Sequence, residues 1–247
     1  MSFTSQGLTY EEVSADFDAY RARRAVNSGL APAAAVNAQG FDLRSWIDKL
    51  KPVQGGAATD RVEDGVDQTY RSRRNELLKR EEGFWATAYA DPSGTNKSIG
   101  YGFNLDRKDA RDVLSKAAPG ANFDDVYSGK RALMKEEAER LLDIAAGHAE
   151  QHVANRFKGV NLTEHQRVAL VSMAYNGPSL ITQRLVGAVA NGDPETAVHE
   201  FLNSKSVDRF PFLAPRRWRE AQIFLGPASN SKLLPDFKAY RASKKFS

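Results

Sequence analysis

The chain has 247 residues, of which 41% are hydrophobic and 27% are charged, as in globular proteins with one or two cores. It contains no cysteine, which excludes disulfides, thiol catalysis and cysteine-ligated metal sites. No apolar run approaches the roughly 18 residues of a membrane span, and the first residues lack the pattern of a secretory signal. The N-terminal residues 1–70 hold 7 Lys+Arg against 10 Asp+Glu, whereas the remainder holds 28 against 21. Such a basic body favours anionic partners: nucleic acid, lipid or bacterial cell wall.

The N-terminal part of the chain has the pattern of an appendage. Residues 41–50 predict a short amphipathic helix, and residues 51–60 have the proline and glycine content of a linker. We therefore predict an appendage at 1–69, a compact domain at 70–226 and a basic C-terminal tail at 227–247.

A helix followed by a short β-structure opens the compact domain. The spacing over 68–82 predicts the helix, and Gly83 is the usual residue for its left-handed C-cap. Alternation at Trp85, Thr87 and Tyr89 predicts a strand, which is followed by the turn "DPSGTN" and a second strand, "KSIGYGFNL".

The rest of the compact domain is predominantly helical. Thr163 is an N-cap candidate, and the segment after it is apolar nearly all round, which predicts a helix buried in the middle of a domain. A helical body with one small antiparallel β-hairpin or sheet is an α+β fold. Helical spacing recurs at 106–117, 134–157, 162–175, 194–202 and 215–226.

Two carboxylates flank the predicted first strand. Glu82 lies at the C-terminal end of its helix, where the dipole disfavours a charged carboxylate. Asp91 follows where the strand ends, and the turn brings the hydroxyl of Ser98 back toward the pair. Neighbouring aromatic side chains would raise the pKa of a carboxyl group toward that of a general acid.

Two interpretations of this acid pair remain open. Solvated surface charge is one, because Asp and Glu are mostly exposed. Glycoside hydrolysis is the other, and the three features above favour it. It needs one carboxyl group to protonate the leaving oxygen, a second to activate water or stabilise the transition state, and a hydroxyl can orient the water.

Three stretches resemble the phage-type lysozymes, glycoside hydrolase family 24: "EG" (82–83), "YADPSGT" (89–95) and "SIGYG" (98–102). That family has a Glu, eight residues, an Asp or Cys, about five residues, and a Thr before an I-G-x-G turn. Glu82 and Asp91 match the first spacing, and Ser98 stands where the Thr belongs, one residue late. Phe103 stands where some relatives carry a histidine.

The resemblance continues over residues 70–226. "LMKEEAERLL" resembles the helix that opens the family's second lobe, "LTEHQRVALVSMAYN" its buried central helix, and "FLAPRRWREAQIFL" its C-terminal arginine helix. It implies that Tyr175 and Asn176 face a glycan cleft and that Arg216 or Arg217 pairs with Glu82.

The resemblance implies a two-lobed lysozyme-like enzyme that uses no metal or cofactor. It would cleave the β-1,4 bond between N-acetylmuramic acid and N-acetylglucosamine in bacterial peptidoglycan. Glu82 would be the general acid, Asp91 the base or electrostatic partner, and Ser98 would position water, with inversion favoured. The alternatives are a lytic transglycosylase, which needs no water activation, and an inactive structural or wall-binding virion protein.

The route to the wall follows from the missing secretory signal. We expect synthesis in the host cytoplasm and action on the periplasmic wall, either as an endolysin released by a holin or as a virion-associated enzyme. The extra N-terminal residues favour the virion.

A short motif occurs near both ends of the chain. "DFDAYRA" (16–22) and "DFKAYRA" (236–242) match at six of seven positions. Chance similarity of two helices is one interpretation. The other is an aromatic and basic docking face for phage virion proteins, formed by Phe17, Tyr20, Phe237 and Tyr240 at i,i+3 spacing.

A histidine pair and the basic C-terminus are two weaker signals in the sequence. His148 and His152 have metal-capable helical spacing but lack the H-E-x-x-H pattern and an evident third ligand, so we expect no metal site. The basic C-terminus has few charges, so we expect a solvated tail and no nucleic-acid partner.

Overall fold

The computed structural model describes residues 43–48, 64–90, 95–227 and 231–244. Short 3₁₀ turns lie at Pro178–Leu180, Pro211–Leu213 and Ser231–Leu233. The strands are β1 Trp85–Ala90, β2 Lys97–Gly100 and β3 Phe103–Asn104. The helices are α1 Leu43–Asp48, α2 Asp64–Glu82, α3 Ala110–Ala117, α4 Phe123–Tyr127, α5 Lys135–Arg156, α6 Glu164–Asn176, α7 Gln183–Ala190, α8 Pro194–Leu202, α9 Lys205–Arg209, α10 Ala214–Leu225 and α11 Phe237–Ser243.

The β-structure is a three-stranded antiparallel sheet of order β1-β2-β3. The sequence predicted a single second strand, which was wrong, because the chain turns at Tyr101–Gly102 and splits that strand in two. Gly100 and Gly102 adopt φ values of 64° and 80°, a region that favours glycine. The turn brings Gly102 beside the end of α2.

Two apolar cores define two lobes. One contains the β2–β3 region, α3 and the N-terminal half of α5, and the other contains α6, α7, α8 and α10. Helix α5 supplies Leu141 to the first core and Val153 to the second, so this one helix joins both lobes. Tyr175 packs against both cores. The predicted two-lobed α+β fold is confirmed.

Helix α6 lies at the centre of the second lobe, as predicted. Thr163 caps it: its hydroxyl accepts from Gln166 N at 3.2 Å, and the Gln166 side chain accepts from Thr163 N at 2.9 Å. The helix packs between α5 and α10, and most of its side chains are buried. Its C-terminal end therefore has a fixed place, and it carries Tyr175 and Asn176 to the space between the lobes.

Short helices outside the predicted domain also pack onto it. In α1, Trp46 Nε1 donates to Glu76 at 3.1 Å, and the Ile47 carbonyl accepts from His165 Nε2 at 3.1 Å. Part of the predicted appendage is thus attached to the second lobe.

No helix in the ranges given above is both long and apolar enough to cross a membrane.

The C-terminal copy of the repeated motif forms α11. Phe237 packs edge-on against Trp218, and Tyr240 donates its hydroxyl proton to the Leu202 carbonyl at 2.8 Å. Both aromatic residues are buried, so the prediction that they present an exposed docking face was wrong. Their i,i+3 spacing serves packing inside the chain. The N-terminal copy, with Phe17 and Tyr20, lies outside the described residues.

Candidate active site

A cleft of about 510 Å³ opens between the two lobes. The end of α2 and the sheet form one side, α5 and the end of α6 form the floor, and residues 210–216 form the other side. Its lining includes Glu82, Trp85, Tyr89, Ser98, Gly102, Phe103, Asn104, Arg107, His148, Tyr175, Asn176, Pro178, Phe210, Phe212, Leu213 and Arg216.

Glu82 ends helix α2 at the cleft. Gly83, at φ 67°, terminates the helix as predicted and donates its N–H to the Lys79 carbonyl at 3.0 Å. Glu82 Oε1 accepts from Arg216 Nη1 at 2.6 Å. Its Oε2 lies so close to Gly102 that a Cβ there would be 2.7 Å away, and no described residue donates to it. One oxygen is therefore fixed, and the other is uncommitted at the cleft.

Buried partners hold the Arg216 guanidinium in place. Its Nε donates to Glu220 at 3.0 Å, and its Nη2 donates to the Ser172 carbonyl at 3.1 Å. The Ser172 hydroxyl in turn donates to Glu220 at 2.7 Å. Burial disfavours the charge of Arg216, but Glu82 and Glu220 outweigh it and hold the pKa of Arg216 above its ordinary value. The cation beside Glu82 is therefore permanent.

Arg217 has a different role from Arg216. It pairs with Glu220 and donates from Nη2 to Asn176 Oδ1 at 2.6 Å. The sequence left open which arginine pairs with Glu82, and the structure assigns that pairing to Arg216. Arg217 does not line the cleft itself, but it contacts Asn176, which does.

Tyr175 connects the floor of the cleft to the sheet. Its hydroxyl donates to the Tyr101 carbonyl at 2.7 Å, across the junction of the lobes. Burial, followed by the negative charge of Glu82, raises the pKa of Tyr175 well above its ordinary value, so this donor stays protonated. The bond fixes the turn that carries Gly102 and, with it, the position of Glu82 Oε2.

Ser98 lies in β2, opposite Tyr89 on one side and Asn104 on the other. It is 8% exposed and lines the same cleft as Glu82. Asp91, the second predicted carboxylate, lies outside the described residues. Of the predicted site residues, the cleft thus contains Glu82, Ser98, Tyr175, Asn176 and Arg216, while Arg217 lies behind it.

Sequence reasoning missed two groups of cleft residues. Phe210 and Phe212 form an aromatic pair at 5.7 Å between ring centroids, across the cleft from Trp85 and Tyr89, which pair at 5.0 Å. In the sequence, the only sign of the first pair was two aromatic residues close together in "RFPF". Arg107 and His148 are the second group, and only the fold brings them together.

Among the described residues, no cluster of three metal-binding side chains is present.

Comparisons with known proteins give one family. The Phage lysozyme family model matches residues 79–220. A crystal structure of a P22 lysozyme mutant is 25% identical, with a TM-score of 0.49, over 63% of this chain and 97% of that one. The muramidase domain of SpmX from Asticaccaulis excentricus is 23% identical, with a TM-score of 0.45, over 62% and 95%. No curated protein shows significant similarity to the chain.

The family match spans more than half of the chain and both lobes. It includes the end of α2, the sheet, the central helix α6 and the arginines of α10. The chain belongs to the phage lysozyme family.

Proposed function

We propose that this chain is a muramidase, which hydrolyses the β-1,4 bond between N-acetylmuramic acid and N-acetylglucosamine in peptidoglycan. Family membership supports the coarser conclusion, a glycosidase-type peptidoglycan hydrolase. The observation that carries acid-catalysed hydrolysis is the asymmetry of Glu82, with Oε1 held by Arg216 and Oε2 uncommitted at the cleft, while the choice of bond rests on the family resemblance. A proton on Oε2 would be available to a glycosidic oxygen bound there.

In the proposed reaction the glycan strand lies along the cleft, with aromatic side chains on both walls. Glu82 gives its proton to the leaving oxygen as the C1–O bond breaks, and positive charge develops on the sugar. A water molecule oriented by Ser98 attacks C1, and Asp91 takes the proton that the water loses. The products are two shorter strands, one of which has a new reducing end.

The test is to digest purified peptidoglycan, reduce the products with borohydride and identify the modified sugar by mass spectrometry. Reduced N-acetylmuramic acid supports the proposal, and its formation should require Glu82, because the Glu82→Gln variant cannot donate the proton. Reduced N-acetylglucosamine would mean that the other bond is cut. Anhydro products would mean a lytic transglycosylase, and no product would mean a wall-binding or structural protein.

We propose delivery in a phage particle as the route to the wall. The family match begins at residue 79, and residues 1–42, which precede α1, provide a segment for docking. Phe17 and Tyr20 remain candidates for it, whereas the buried Phe237 and Tyr240 do not. Mass spectrometry of purified virions would detect the chain if this route is used. Its presence only in lysates would favour release by a holin.

A further inference from the structure

Arg107 and His148 form a polar pair on the wall of the cleft that the proposed hydrolysis does not use. Arg107 follows β3, and His148 lies on α5, yet both line the cleft. Arg107 Nη2 lies 3.1 Å from His148 Nδ1, and since a guanidinium only donates, Nδ1 is the acceptor. A neutral His148 therefore carries its proton on Nε2, as a second donor.

Asp109 fixes the orientation of the Arg107 guanidinium. Its carboxylate accepts from Nε at 2.5 Å and from Nη2 at 2.8 Å, and it lies 3.8 Å from His148 Nδ1. The hydrogen bond from Arg107 lowers the pKa of Asp109, so the carboxylate is charged at neutral pH. Arg107 Nη1 has no partner among the described residues, and the ring of Phe103 lies 5.4 Å from the guanidinium carbon.

The other arginine in the cleft lining offers no comparable donor. Arg216 is buried, and its contacts are taken up by Glu82, Glu220 and Ser172. Arg107 is part of the electrostatic environment of buried Tyr175, whose pKa is set by burial first and then by nearby charges that include Glu82 and Arg107. As a partly exposed ion pair, Arg107–Asp109 contributes little to folding.

We propose that Arg107 and His148 form a subsite for a carboxylate of the muramyl-peptide part of the substrate, bound by Arg107 Nη1–H and His148 Nε2–H. This inference rests on the proposed function, because peptidoglycan is the carboxylate-bearing glycan that the cleft would take. The carboxylate has two sources. Intact peptidoglycan carries it on the peptide stem, and strands without stems carry it on the lactyl group of the muramic acid.

The test compares wild type, Arg107→Gln and Lys108→Gln in the full chain. Lys108 is the matched control, because it is the next residue, has the same charge and lies outside the cleft lining. Three substrates are used: intact peptidoglycan, strands stripped of stems by an amidase, and an uncharged chitin oligosaccharide. Tryptophan fluorescence also gives a dissociation constant for each soluble ligand, so a glycan that is not cleaved still yields a value.

We expect Arg107→Gln to raise KM for intact peptidoglycan about tenfold with kcat nearly unchanged, as for loss of one hydrogen bond to a charged group. His148→Gln should raise KM by a smaller factor, and Lys108→Gln should leave KM at the wild-type value. A loss of affinity confined to intact peptidoglycan assigns the stem carboxylate, and a loss confined to the stripped strands assigns the lactyl carboxylate. A loss on both charged substrates means that the subsite binds either carboxylate.

Two results would overturn the subsite. One is an equal loss of affinity for uncharged chitin, and the other is no loss on either charged substrate. Failure of the muramidase proposal looks different, since wild type would then cleave no peptidoglycan while binding could still depend on Arg107.

Discussion

Two adjacent glutamates end helix α2 in different surroundings. Glu81 is 1% exposed, and both of its oxygens accept from Arg219, at 2.7 and 2.6 Å. The Glu82 side chain is 16% exposed, and only one of its oxygens is held, by Arg216. The residue type and the type of partner are the same. What distinguishes the proposed catalytic acid is the oxygen that the protein leaves uncommitted at the cleft.

The largest expected effect is on activity at the cleft glutamate. Glu82→Gln keeps the shape of the side chain and an oxygen for Arg216, but it has no acidic proton. Loss of a general acid costs about 10²–10⁴-fold in rate, so kcat should fall by that factor. The thermal midpoint should change little, because Glu220 still pairs with Arg216. Reducing-end assays and calorimetry on the same sample measure both. Near-wild-type kcat would remove Glu82 from the mechanism.

The neighbouring substitution should give the opposite pattern. Glu81→Gln removes the buried carboxylate that pairs with Arg219, and breaking a buried ion pair costs about 3–5 kcal/mol of unfolding free energy. Urea unfolding measures this loss. The rate per folded molecule should stay close to that of wild type. If Glu81→Gln instead abolished activity without destabilising the chain, the division of roles between the two acids would be wrong.

Gly102 tests the position of the uncommitted oxygen. Gly102→Ala would place a Cβ 2.7 Å from Glu82 Oε2 and displace the carboxylate, which should lower kcat/KM by about 10²-fold. Gly120→Ala is the matched control, because Gly120 has a similar φ of 84° but open space around it. Both variants should lose about 1–2 kcal/mol from backbone strain. Equal activity in the two variants would contradict the geometry.

The smallest effect is expected at a third glutamate that is paired with an arginine. It lies away from the cleft, so only stability should change. Glu137, at the start of α5, accepts from Arg131 at 2.6 and 3.1 Å and from Met134 N at 2.9 Å. The hydrogen bond from Arg131 lowers the pKa of Glu137. Its stabilisation is therefore present above the unfolded pKa of about 4.3 and is lost as the pH falls through the lower folded value.

Glu137→Gln should accordingly cost about 1 kcal/mol at pH 7, with catalysis unchanged. The difference from wild type should shrink as the pH falls from 7 toward 3, because the Glu137 carboxylate is progressively protonated. Urea unfolding at the two pH values measures it. A difference that does not depend on pH would mean that the charge of Glu137 contributes nothing.

Local chemistry made part of this structure predictable from the sequence. Gly83 marked the end of α2 and placed Glu82 there, and Thr163 marked the start of the central helix. These signals depend on a few neighbouring residues. The positions of Tyr175 and Asn176 at a cleft came from the family resemblance.

The rest depends on contacts between distant segments. The turn at Gly102 interrupts a stretch that has the pattern of one strand, because Tyr175 and Glu82 meet it from other elements. Docking was one of two interpretations of the repeated motif, but Tyr240 bonds to Leu202 inside the chain. Arg107 and His148 have no shared sequence pattern, since a turn and a helix bring them together.

The central claim is that Glu82 supplies the proton for cleavage by water, and digestion of peptidoglycan in ¹⁸O-labelled water tests it most directly. The account predicts that wild type releases reducing ends carrying one labelled oxygen and that Glu82→Gln, although folded, releases essentially none. Anhydro products without label, or labelled products formed equally fast by Glu82→Gln, would contradict it.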